Sequence, residues 1–415
     1  MGSGSTSSHA AHKLRWDIFC RVVDNYGDLG VCRRLAMNLA DLGQAVRLWV
    51  DDAALMHSMA PDIPRAGASQ SSSPGVNGVN GVNGVNGVHW VHWLPTHETQ
   101  CAETPGDVVI EAFGCDPPAA FLGRMRERPG DADAHPSAQA HARQPVWINL
   151  EYLSAEDYVA RSHGLPSPQS HGPGAGLTKW FFYPGFTAQT GGLLREQGLL
   201  DRRQVFDRRP WLEGLRIPDD GERRVSVFAY PHAPLVQLME SLVRASRLDG
   251  IPVRLLLTRG PLQAQARSWM ADNPGAQALL RTTELPWLSS EDFDHLLWAC
   301  DLNLVRGEDS LVRAIWAGQP FIWQIYPQED GAHAIKLQAF MHGVLANGAR
   351  PCPPALHTWW KAWNGLAEWP NGQAFAWDLW PAWAAAVDST AQALSVQTAL
   401  AEQLLAFVAG HRRGG

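Results

Sequence analysis

Apolar positions in the first half of the chain fall into two rhythms. Asp17 to Val23, Ala45 to Val50, Val88 to Trp93, Val108 to Phe113 and Pro145 to Leu150 are short apolar runs that read as buried strands. After the first of them, Val31, Leu35, Leu39 and Leu42 recur at helical spacing and Gly43 ends the helix. Such alternation predicts a parallel sheet with helices on both faces. The rhythm restarts near Arg223, with strands at 225–230, 253–257, 301–305 and 320–326 and a strand and loop through Thr283 to Trp287. Helices are predicted at 233–246, 261–271, 292–298, 310–317 and 331–343, and an amphipathic helix at 389–409.

Two α/β units joined by a soft junction at 187–222 imply a cleft between them. The expected division is a disordered tail at 1–14, an N-terminal domain at 15–190, a linker at 191–222, a C-terminal domain at 223–385 and a last helix within 386–412. Two insertions interrupt the first unit. Residues 65–87 carry a Gly-Val-Asn repeat and 129–144 are rich in Pro, Ala, His and Asp, so both read as flexible surface loops. Residues 163–176 are a third soft stretch.

Composition narrows the function. A formal net charge of -7 argues against broad, phosphate-driven nucleic-acid binding. The six cysteines are scattered with no C-x-x-C pair, which speaks against a disulfide scaffold or a zinc site. Cys20 and Cys300 lie in apolar segments and read as buried thiols, as suits a reducing cytosol. The first eight residues are small and polar, unlike a secretory signal. No apolar run approaches the ~20 residues of a membrane helix. A cytoplasmic protein with no membrane contact is the expectation. Most of the 19 tryptophans are expected in cores or between domains, with a few free to stack on a ring.

Three constellations could carry chemistry. Asp24 and Asp28, with Gly27 and Gly30, occupy a predicted loop after the first strand, at the sheet edge where ligands bind in open α/β folds. Neighbouring carboxylates split their pKa values, which suits one of them to act as a base, whereas either could simply cap the next helix. Arg306-Gly307-Glu308-Asp309-Ser310 joins a strand to a helix N-terminus, where free N–H groups and the dipole favour a phosphate. Ser310 can cap that helix or reach a phosphate oxygen, while Glu308 and Asp309 suit sugar hydroxyls or a cationic acceptor. An ordinary acidic first turn has the same composition. Trp287 stands in a loop where a base could stack, and Tyr183 and Phe186 flank Pro184-Gly185 near the junction, although core packing is the commoner reason for any one of them. His89 and His92 would face opposite sides of a strand and are not read as a metal pair. There is no G-x-x-x-x-G-K-[ST], no H-E-x-x-H and no G-x-G-x-x-G after a strand, which weakens ATPase, metalloprotease and dehydrogenase readings.

Five ordered stretches together resemble the family of protein-arginine rhamnosyltransferases that modify bacterial elongation factor P. They are Ile18 to Val31, Asn149 to Ser154, Tyr183 to Phe186 with Gly191-Gly192-Leu193, Val305 to Ala314, and Ile325 to Gln328. The resemblance implies a GT-B fold, two Rossmann-like domains facing across a cleft, with the last helix returning to the first domain. It implies TDP-β-L-rhamnose as donor, inversion at the anomeric carbon, no metal or other cofactor, and one arginine in the N-terminal domain of elongation factor P as acceptor. By the family pattern Asp28 matches the general base, and Asp24 and Glu308 match further essential carboxylates. Asn25, Tyr26, Gly27, Tyr183, Phe186, Leu285, Trp287, Ser290, Arg306, Gly307, Asp309 and Ser310 fall to the donor. Trp287 stands where the family usually has phenylalanine beside the thymine, and Ser290 replaces a glutamine often seen nearby. The motifs specify mainly the donor side. A GT-B enzyme with another acceptor, or a non-catalytic nucleotide-sugar-binding protein, are therefore the competing readings.

Overall fold

The computed structural model describes residues 13–66, 87–126, 144–346 and 348–413. The core of the two predicted insertions lies outside these residues, as does the tail up to residue 12.

The first sheet contains β1 (Arg15–Cys20), β2 (Ala45–Val50), β3 (Val88–His92), β4 (Val108–Ala112), β5 (Val146–Leu150), β6 (Pro166–Pro168) and β7 (Thr178–Phe182). Their spatial order is β3-β2-β1-β4-β5-β7-β6, parallel except for β6. The second holds β8 (Arg223–Val227), β9 (Val253–Leu257), β10 (Leu280–Glu284), β11 (Leu302–Arg306) and β12 (Phe321–Gln324), all parallel in the order β10-β9-β8-β11-β12. Strands buried on both faces account for the nearly continuous apolar runs. Both sheets reverse their winding beside the first strand, β1 in one and β8 in the other. The crevice above that reversal is where doubly wound sheets bind ligands. The carboxyl edges of the two sheets face each other across a cleft, which is the GT-B arrangement.

Several boundaries depart from the sequence expectation. Only Arg21 to Asp24 form a loop after β1: the helix Asn25–Asp41 takes up the rest of the predicted loop. Asp28 makes this possible, because its Oδ2 accepts the N–H groups of Val23 (2.9 Å) and Asp24 (2.8 Å), which the helix leaves unpaired. The helix expected from 310 starts at Gly307 and runs to Ala317, so Ser310 lies inside it and is not its cap. The soft stretch at 163–176 contains β6, and the expected linker carries two short helices, Leu199–Val205 and Arg208–Gly214.

The single closing helix is two, Trp380–Ser395 and Leu400–Arg413. Arg195 holds the break by donating to the carbonyls of Ser395 (2.5 Å) and Gln397 (3.0 Å). The second helix lies on the N-terminal domain, where Phe407 meets Trp180 and Phe182 and Arg412 pairs with Asp107 at 3.1 Å. The stretch Trp377–Arg412 is, contrary to expectation, apolar and long enough by composition to cross a membrane. Here it is folded into this broken pair, whose apolar faces pack on both domains. All six cysteines are buried free thiols, and among the described residues Trp287 is the only exposed tryptophan.

Candidate active site

Every functional segment found here follows a strand at the carboxyl edge of its sheet. Asp24 and Asp28 follow β1, Phe113 follows β4 and Tyr152 follows β5. From the other domain come Phe228 and Tyr230 after β8, Trp287 after β10 and Arg306 to Ser310 at the end of β11. They form two cavities that meet at Gly27, which lines both.

The first cavity is aromatic and cationic. Its walls include Tyr26, Phe228, Trp287, Phe293, Arg306, Asp309 and Ser310. The Trp287 and Tyr26 rings lie 5.6 Å apart. The Arg306 guanidinium sits 5.1, 4.9 and 4.4 Å from the ring centres of Tyr26, Phe228 and Tyr230, a cage that holds the cation without neutralising it. Ser290 also lines this cavity, with its hydroxyl taken by Arg33 at 2.8 Å. Asp309 is paired with Arg34 of the other domain at 2.8 Å. The Ser310 hydroxyl donates back to the Arg306 carbonyl.

The second cavity is acidic. Asp24, Asp28 and Glu308 line it together with Phe113, Tyr152, Gly307 and Lys336. Its carboxylates are tied across the domain boundary. Asp24 Oδ2 accepts the Tyr230 hydroxyl at 2.6 Å, and Glu308 Oε2 accepts the Leu153 N–H at 2.7 Å. Glycine is needed where the two backbones close on Asp24. A Cβ on Gly27 would lie 2.5 Å from Asp24 Oδ2, and one on Gly307, whose φ is +67°, 2.9 Å from it. Beside the cavities a buried cluster ties the domains together. Arg313 pairs with Asp294 and Glu196, both at 2.5 Å, and Arg34 reaches Glu196 at 3.4 Å. Burial pushes the Glu196 carboxyl up, but these two arginines outweigh it and hold it at about 2.

Burial raises the Asp28 carboxyl from 3.8 to about 6, against the two N–H bonds that pull it down; the charges of Asp24 and Glu308 push it further up. Asp24 is raised as well, by burial that exceeds the opposing pull of Tyr230 and Arg306. Asp28 Oδ2 carries both backbone bonds and Oδ1 has no partner among the described residues. A carboxylate with one free oxygen in a cavity, held near the neutral range, is suited to accept a proton.

The structure thus brings together Asp24, Asp28, Glu308, Tyr26, Gly27, Trp287, Ser290, Arg306, Gly307, Asp309 and Ser310. Asn25 opens its helix, but its side chain is outside the described residues. Three expected donor residues line neither cavity. Tyr183 follows β7, away from the winding reversal, and packs on Tyr158 and Phe181. Phe186 packs on Phe340, and Leu285 is buried beneath Trp287's loop in a cluster with Leu212 and Leu296. Sequence reasoning gave no role to Tyr152, Phe228, Tyr230 or Lys336. Tyr152 lies within the Asn149 to Ser154 motif, and Tyr230 is predicted to end a strand that in the structure stops at Val227. Among the described residues no three His, Cys, Asp or Glu side chains form a set that could hold a metal ion.

Residues 16–409 match the family described as elongation-factor P (EF-P) rhamnosyltransferase EarP. A protein-arginine rhamnosyltransferase of Pseudomonas putida is 42% identical over 406 residues, covering 92% of this chain and 98% of its own. One from Pseudomonas aeruginosa is 39% identical over 411 residues, covering 95% and 98%. A solved structure concerned with EarP-mediated arginine glycosylation of translation elongation factor EF-P superposes with a TM-score of 0.58 at 29% identity, over 97% of this chain and 100% of that one.

Proposed function

Since the chain belongs to the EF-P rhamnosyltransferase family, and with it to the glycosyltransferases, we propose that it moves L-rhamnose from TDP-β-L-rhamnose onto one arginine of elongation factor P. In this reading it works in the cytoplasm, needs no metal, and inverts the anomeric carbon. The observation that carries the reading is the adjacency of the two cavities. An aromatic, cationic one suits a nucleoside diphosphate, an acidic one suits a guanidinium, and the two meet at Gly27, where the transferred sugar would sit.

In this mechanism the thymine stacks on Trp287. The diphosphate lies at the N-terminus of helix Gly307–Ala317, where free N–H groups and Arg306 stabilise the charge that develops as the anomeric C–O bond breaks. A metal is then not required to stabilise the leaving group. The acceptor guanidinium enters between Asp28 and Glu308, its flat face toward the Tyr152 ring. Guanidinium nitrogens are poor nucleophiles, because their lone pairs are delocalised and their pKa exceeds about 12. Asp28 Oδ1 orients one N–H and takes its proton as the new N–C bond forms on the face opposite the departing TDP. Glu308 and Asp24 hold positive charge on the rest of the guanidinium.

The test is the intact mass of elongation factor P after incubation with this protein and TDP-rhamnose in the presence of EDTA. The expected result is a gain of one deoxyhexose, mapped to a single arginine. No gain while TDP-rhamnose still binds points to a different acceptor, and gain only after metal is restored overturns the metal-free mechanism.

A further inference from the structure

Lys336, on the helix Ala332–Phe340, has no part in that mechanism, yet it sits in the acidic cavity. Its Nζ donates to Glu308 Oε1 at 2.8 Å and lies 5.2 Å from the centre of the Tyr152 ring. That ring is fixed by stacking on Phe113, with centres 4.3 Å apart and planes 10° off parallel. Both partners of the ion pair are mostly buried, at 17% and 16% exposure. A cation against this carboxylate and this aromatic face makes the contacts an entering guanidinium would seek.

We propose that Lys336 is a built-in occupant of the acceptor pocket: its ammonium holds the place at Glu308 and Tyr152 that the acceptor arginine takes, and it swings away as the arginine enters. The inference rests on the arginine-acceptor reading. Three carboxylates facing one cavity repel each other, and leaving Glu308 desolvated without a cation would be costly. Lys336 removes that cost in the free enzyme. Its four-carbon stem is flexible enough to leave, and it leaves readily only when another cation arrives. A guanidinium can displace it because it offers five donors in a plane against three on an ammonium, and so can engage Asp28 and Glu308 together. The occupant therefore raises the apparent Kd for acceptor in inverse proportion to the fraction of time it leaves the pocket open.

Steady-state rhamnosylation of elongation factor P by the full-length enzyme, read by intact mass, tests this with Lys336→Met and Lys336→Arg. Removing the ammonium is expected to lower the acceptor KM by about fivefold or more, with kcat changed less than about twofold. Lys336→Arg, which restores a cation, should bring KM back to the wild-type value or above. The KM drop should persist in high salt, where a purely long-range charge effect would be screened. A fall in kcat at unchanged KM would make Lys336 a positioning residue for Glu308 and overturn the proposal, as would a rise in KM. Should Lys336→Met fail to fold, Lys336→Gln carries the same comparison. If the wild-type enzyme modifies no elongation factor P, the acceptor reading itself falls and this inference with it. If it does modify the factor and no variant lowers KM, the inference alone falls.

Discussion

The two cavities on either side of Gly27 are built differently. The aromatic one draws Phe228, Trp287, Phe293 and Arg306 from the C-terminal domain, and Tyr26 of the other domain completes the rings that cage its cation. The acidic one is shared. Asp24 and Asp28 come from one domain and Glu308 from the other, and each domain holds a carboxylate of its neighbour through the Tyr230 and Leu153 bonds. In the proposed mechanism most donor contacts thus come from one domain, with Tyr26 and Gly27 added by the other, whereas the three carboxylates are divided between the two. That separation lets binding and chemistry be broken one at a time.

The largest separation is expected for Asp28→Asn. It keeps the shape and can still accept the backbone N–H groups, but removes the base. Turnover should fall about 1,000-fold, while calorimetry finds TDP affinity unchanged. A parallel loss of TDP affinity would show that the cavities are not independent. Glu308→Gln should cost turnover about 100-fold by weakening charge stabilisation on the acceptor. Calorimetry with TDP again separates a chemical defect from a binding one.

Asp28→Asn should also stabilise the fold. The raised Asp28 carboxyl favours the neutral form in the native state, so its ionisation costs stability. That cost is absent below about pH 4, grows as the pH rises through about 6, and is complete above it. Chemical denaturation should find the variant more stable than wild type by on the order of 2–3 kcal/mol near pH 8, and no more stable near pH 4. Equal stability at both pH values would mean that Asp28 is not strained by burial. The smallest effect belongs to the binding side. Trp287→Ala should weaken TDP binding about tenfold through lost stacking, with kcat at saturating donor unchanged.

Much of this arrangement was legible in the chain. Buried parallel strands leave continuous apolar runs, and a polar or glycine-bearing segment after such a run falls at the sheet edge where ligands bind. That is why Asp24, Asp28 and Arg306 to Ser310 stood out. The local conformation did not follow as well, since Asp28's back-bonding to Val23 and Asp24 converts the expected loop into the first turn of a helix. Tyr230 and Lys336 have no local signature, because their partners Asp24 and Glu308 lie on other segments and meet them only after the domains face each other. Tyr183 shows the reverse. Its motif is well marked, but it follows a strand near the sheet's outer edge, packs on Tyr158 and lines neither cavity.

The proton-accepting role proposed for Asp28 is tested most directly by the pH dependence of kcat/KM for the acceptor at saturating donor. The rate should rise about tenfold per pH unit on the acid side, bend near pH 6 and stay level above it as the Asp28 carboxyl ionises. A rate that stays flat from about pH 5 to 8, or that falls as the pH rises through about 6, would contradict the assignment of Asp28 as the base.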